Sequence, residues 1–65
     1  MATMKEIRKQ QRYTVNAVVE GTGIPFSTIT AYDNGYRSPS LQNAKKIADF
    51  FGVPVADIEF KEKGK

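Results

Sequence analysis

Residues 23–40, GIPFSTITAYDNGYRSPS, decide how the chain is to be read. Proline's fixed φ suits the first position of a helix, and glycine adopts the left-handed conformation that commonly ends one. Pro25 and Gly35 therefore bracket a helix over residues 25–34. Between Gly23 and Asn34 the only formal charge is Asp33, although charged residues make up 26% of the chain. Wound at about 100° per residue, Pro25, Ile29 and Tyr32 share the inward face, with Thr28 and Asp33 on its flanks. Phe26, Ser27, Thr30, Ala31 and Asn34 share the outward face. A solvated face ordinarily carries Lys, Glu and Arg, whereas this one offers hydroxyls, an amide, a methyl and a phenyl ring. Such a surface fits the major groove of DNA, where Ser and Thr exchange hydrogen bonds with base edges and Ala or Phe touches a thymine methyl. The residues alone leave the plainer alternative open, a polar helix that meets only water.

Working outward from this helix, the same signals recur. Thr3 stands three residues before Glu6, the spacing of a capping box, and opens a first helix over about Met4 to Gln11 with Met4 and Ile7 on one face. Thr14 caps a second helix through about Glu20, with Val15, Val18 and Val19 turned inward or to a flank. Valine is restricted at χ1, so this helix depends on tertiary packing. Gly21 and Gly23 are expected to end it, and a short turn leads to Pro25. Tyr36 to Pro39 form a loop. Ser40 caps a helix over Leu41 to Phe51, in which Leu41, Ala44, Ile47, Ala48 and Phe51 make an apolar stripe. Gly52 ends it, and Pro54 to Ile58 read as a last helical turn. Alternating strand patterns are scarce.

A chain of 65 residues has room for one small core, and such a domain buries only about 60% of the surface its unfolded chain exposes. We expect one domain over residues 1–58 and a basic tail over 59–65, with no second domain for ligand sensing or oligomerisation. With no cysteine and no histidine, disulfides, thiolate nucleophiles and the commonest zinc ligands are excluded. No metal site and no cofactor is expected. Paired carboxylates and a glycine-rich phosphate loop are also missing, so the sequence does not read as an enzyme. No stretch is apolar enough for a membrane span or a secretory signal, and the expectation is a soluble cytoplasmic protein with no membrane partner. A net charge of +3 tilts the partner towards polyanions, although Lys61, Lys63 and Lys65 of the tail contribute to it.

From about Met4 to Ile58 the chain resembles the helix-turn-helix family of phage Cro proteins and lambda-type repressors. The resemblance is carried by Arg8, the capping Thr14, Gly23-Ile24 at the turn, Ser27-Thr28-Ile29, Asp33 with Gly35, Pro39-Ser40-Leu41, and Ile47-Ala48 with Phe51-Gly52-Val53. It implies an all-α, compact bundle of five helices whose third, recognition helix enters the major groove while the second crosses the DNA backbone. It also implies that Arg8 and Asp33 form an ion pair inside the domain. By the same resemblance Phe26, Ser27, Thr30 and Ala31 face base edges. Thr14 and the free amides of Val15 and Asn16 lie where a phosphate is expected, as helix N-termini favour anions in general. Asn34, Tyr36 and Arg37 are offered to the backbone, contacts that position without specifying sequence.

The chain departs from the family pattern at Val15, where Gln is common, and at Val19, where Ala is usual. No Arg or Gln stands on the base-facing positions, and Asn34 alone supplies an amide, so the strong bidentate contacts to guanine and adenine are lacking. Phe26 can meet thymine methyls, anchor a protein interface or fold back on Val15 or Val19. Tyr13 and Tyr32 read as core residues with the hydroxyl at the surface. Lys5, Arg8, Lys9 and Arg12 fall on a face of the first helix that is ordinarily just solvated, and Phe60 has no evident core to enter. The expected function is a Cro-like transcriptional regulator of phage type. It would bind operator DNA, as a homodimer on an inverted repeat. The rival is a modulator of a partner repressor protein or a toxin, built on the same scaffold and using Phe26.

Overall fold

The computed structural model describes residues 2–60. Strand β1 (Ala2–Thr3) leads directly into helix α1 (Met4–Gln10), followed by α2 (Val15–Thr22), α3 (Phe26–Asp33) and α4 (Leu41–Phe51). A single 3-10 turn, Val55–Asp57, then delivers the chain into β2 (Ile58–Glu59). Among the described residues the architecture is mostly helical with four α-helices, and a 3-10 turn stands where the fifth was expected. Ile58 leaves it in extended conformation and places β2 parallel to β1, Ala2 opposite Ile58 and Thr3 opposite Glu59.

The helices begin where hydroxyls can serve backbone donors. Thr3 accepts the N–H of Glu6 at 3.2 Å while the Glu6 carboxylate accepts that of Thr3 at 2.9 Å, a complete capping box. Thr14 accepts from Ala17 and Ser40 from Asn43 in the same way. Helix α3 has no such cap: Pro25 precedes it with ψ 149°, outside the helix that was expected to include it. Pro25 is also exposed, not inward, because that extended ψ turns it off the face shared by Ile29 and Tyr32.

Each helix contributes to one core. Met4 and Ile7 of α1, Val18 of α2, Ile29 and Tyr32 of α3, and Ile47, Ala48 and Phe51 of α4 are buried together with Ile24 and Ile58. Val18, Ile29 and Ile47 are completely enclosed. Phe60, directly after β2, is half-buried and packs against this core, since the parallel pairing carries the chain back across the bundle. Leu41 does the reverse. It was placed in the apolar stripe of α4 yet is 79% exposed. Helical side chains lean towards the N-terminus, so a residue in the first turn overhangs the end of the bundle.

Two turns bound α2. In the first, Arg12 adopts φ 64°, the one non-glycine residue in the left-handed region among those described. In the second, the Thr22 hydroxyl donates to Val18 O at 2.7 Å and accepts from Ile24 N at 3.3 Å, and Gly23 turns left-handed at φ 75°. Gly21 does not end α2, as expected, but lies within it. A Cβ there would run into the ring of Phe50, which packs at 4.8 Å from Tyr13 and 5.2 Å from Phe51. Gly21→Ala should therefore destabilise the fold by about 1–3 kcal/mol in urea denaturation despite alanine's better helix propensity. An unchanged midpoint would show that the Phe50 ring gives way.

Candidate nucleic-acid interface

The helix that carries the expected recognition face is short and intrinsically weak, eight residues that include β-branched Thr28, Ile29 and Thr30 and no side-chain cap. Its position is imposed from α1. Arg8 Nε and Nη2 donate to the two carboxylate oxygens of Asp33, each at 3.0 Å, and Nη1 donates to the carbonyl of Tyr13 at 2.9 Å. The two side chains are 13% and 4% exposed. One guanidinium thus ties α1, the turn after it and the last residue of α3. At the opposite flank, Asn43 of α4 donates to the Tyr32 hydroxyl at 3.1 Å, which satisfies the polar end of a buried ring.

With Ile29 and Tyr32 buried and the Asp33 carboxylate turned onto Arg8, the other residues of α3 face outward to differing degrees. Phe26 is 54% exposed, so it does not fold back as a lid on Val15 or Val19. Ser27 is exposed, while Thr30 and Ala31 are half-buried. The Thr30 hydroxyl donates to Ser27 O at 2.9 Å. Its proton is thereby engaged, and towards a ligand Thr30 can only accept. Ser27 keeps both capacities.

The groups expected at a phosphate lie at helix and loop ends. Thr14 is exposed, and its hydroxyl takes the Ala17 N–H, leaving the N–H groups of Val15 and Asn16 without an acceptor among the described residues. The Val15 side chain packs against the core, so only its backbone is on offer. Asn34 is exposed and follows α3 directly. Gly35 then turns left-handed at φ 80°, and Tyr36 N donates to Ala31 O at 2.8 Å, closing the helix end. Tyr36, 61% exposed, and Arg37 project from this loop.

Two further contacts escaped the sequence reading. Gln11 Nε2 donates to Phe51 O at 3.0 Å and occupies a carbonyl at the end of α4. Lys5 Nζ donates to Asn34 Oδ1 at 3.0 Å, one turn of α1 before Arg8. Both join residues far apart in the chain, and no local pattern announces them. Among the described residues no cluster of carboxylates could hold a metal ion, and no helix is long and apolar enough to cross a membrane.

Helices α2 and α3, packed on each other across the turn at Thr22–Pro25, are a helix-turn-helix, and the helix-turn-helix family model matches residues 4–58. The chain belongs to the helix-turn-helix family of Cro proteins and lambda-type repressors. It is 33% identical over 55 residues to the cryptic phage CTXphi transcriptional repressor RstR of Vibrio cholerae, covering 85% of this chain and 50% of that protein. It is 32% identical over 62 residues to the transcriptional regulator AnsR of Bacillus subtilis, covering 95% of this chain and 53% of that protein. An uncharacterized transcriptional regulator of the same type from Methanocaldococcus jannaschii is 38% identical over 55 residues, 85% of this chain and 83% of its own. The chain thus spans about half the length of the first two. No solved structure matches it.

Within this family scaffold the Arg8–Asp33 pair is the most exposed to test by mutation. Asp33→Ala leaves the largely enclosed Arg8 guanidinium with only the Tyr13 carbonyl. Urea denaturation should show a loss of about 3–5 kcal/mol. A loss below about 1 kcal/mol would mean that water replaces the carboxylate and the pair holds nothing in place.

Proposed function

We propose that the chain is a sequence-specific DNA-binding transcriptional regulator, a Cro-like repressor of phage or prophage type, which reads operator DNA with α3. The observation that carries this is the outward face of α3, uncharged yet exposed at Phe26 and Ser27, on a helix tied down at its far end by Arg8. Such a face can lie close against base edges, with its hydroxyls and apolar groups meeting them directly. The names of the relatives support the reading: two are regulators by name and one is a phage repressor.

In this reading Phe26, Ser27, Thr30 and Ala31 meet the bases. Phe26 and Ala31 supply apolar contact to thymine methyls, Ser27 donates or accepts, and Thr30 accepts from an exocyclic amine. Thr14, the N–H groups of Val15 and Asn16, and the loop residues Asn34, Tyr36 and Arg37 hold the phosphates. The described residues extend 29 Å along their longest axis, a size at which two copies set side by side suit an inverted repeat with half-sites one turn, ~34 Å, apart.

The single experiment is selection of bound duplexes from a randomised library at about physiological salt, where the Debye length is ~8 Å and weak non-specific attraction is suppressed. Enrichment of an inverted repeat is expected. Ser27→Glu combined with Thr30→Glu should abolish that binding, reducing affinity by at least about 100-fold through two carboxylates set against the groove, while the helical circular dichroism is retained. Retained binding would remove α3 from the interface.

A second reading, a modulator that binds a partner repressor or a toxin, is favoured by the exposed apolar side chains Phe26 and Leu41. Salt separates the two. Affinity for DNA should fall steeply as salt rises, whereas an apolar protein contact should change little.

A further inference from the structure

Lys5 and Arg8 stand one turn apart on α1, and both reach the end of α3. Arg8 takes Asp33, and Lys5 takes the next residue, Asn34, across 29 positions of sequence. The Asn34 backbone is already fixed. Its N–H donates to Thr30 O at 2.9 Å, and Gly35 turns left-handed immediately after it. What remains free is the side-chain amide, whose two ends are nearly identical in shape and opposite in chemistry. An ammonium only donates, so it is Oδ1 that faces Lys5 Nζ, and the amide NH2 points elsewhere.

We propose that Lys5 is a positioning residue for Asn34, locking its amide so that Nδ2, the donor end, is presented to a phosphate oxygen of bound DNA. The inference rests on the DNA-binding reading above, in which Asn34 meets the backbone. An amide that is not held samples both orientations, and the one that offers Oδ1 to a phosphate repels it. Lys5 is half-buried, so its stem is already partly ordered and less rotamer freedom is lost on holding the amide. The same contact places a cation beside the site, and an orienting role must be separated from that general attraction.

The test is a double-mutant cycle on the full chain, with affinity measured for the duplex that the wild-type protein selects. Lys9→Met serves as the charge control: Lys9 lies on the same helix, is exposed, and its side chain has no partner among the described residues. Lys5→Met should weaken binding about 5- to 10-fold more than Lys9→Met. In an Asn34→Ala background Lys5→Met should cost no more than Lys9→Met does, because there is no amide left to orient. Lys5→Arg should restore most of the affinity. All variants are compared at a temperature where circular dichroism shows them folded.

Additive effects of Lys5→Met and Asn34→Ala, or equal effects of Lys5→Met and Lys9→Met, would overturn the positioning role while leaving DNA binding intact. Failure of the wild-type protein to enrich any duplex would overturn the DNA-binding reading, and this assignment with it.

Discussion

The bidentate pair between Arg8 and Asp33 is the constraint from which the rest of the interface follows. Its two side chains are largely withdrawn from solvent, and withdrawing charge has a desolvation cost that an apolar contact of the same size would not carry. What the pair supplies that an apolar contact would not is direction. Here the planar guanidinium meets the carboxylate edge to edge through Nε and Nη2, and its remaining nitrogen reaches the carbonyl of Tyr13. With α1, the following turn and the end of α3 joined at one group, the rotation of α3 about its own axis is settled. Which of its side chains face outward is settled with it.

That constraint matters because α3 has so little of its own. It lacks a side-chain cap, begins after a proline in extended conformation, and buries only Ile29 and Tyr32. A helix of this length holds its shape through its neighbours. Freed from stabilising itself, its outer face can carry an exposed phenyl ring and hydroxyls in place of the ion pairs that a solvated helix would use. Other local costs lie nearby. Arg12 occupies a left-handed conformation that glycine would adopt more readily, and Leu41 stands almost fully in water. Proteins tolerate such features where stability is not the only requirement.

Much of the fold was legible because it is written in interactions three or four residues long. Thr3 with Glu6, Thr14 and Ser40 mark the starts of helices through hydroxyls that reach the next turn, and these positions agree with the structure. The spacing of Ala44, Ile47, Ala48 and Phe51 likewise fixes the inner face of α4. The errors fall where the deciding partner is distant. Gly21 reads as a helix stop until Phe50 is seen against it, and Leu41 reads as core until the bundle ends beneath it. The final helix gave way to a 3-10 turn and a strand because Ile58 pairs with Ala2, at the other end of the chain. Nothing in two residues of sequence announces a parallel partner.

The sequence by itself determined the helix-turn-helix arrangement and the uncharged face of its second helix, since both depend on periodicity and capping within a few residues. Tertiary structure alone decided how far each face residue is exposed, where Phe60 goes, and that Lys5 and Gln11 hold groups at the ends of other helices. Those outcomes depend on which surfaces meet across the core. The free energy of burial is non-directional and roughly proportional to apolar area, so it favours collapse without naming partners. The partners are chosen by shape and by a few directed hydrogen bonds between residues remote in the chain.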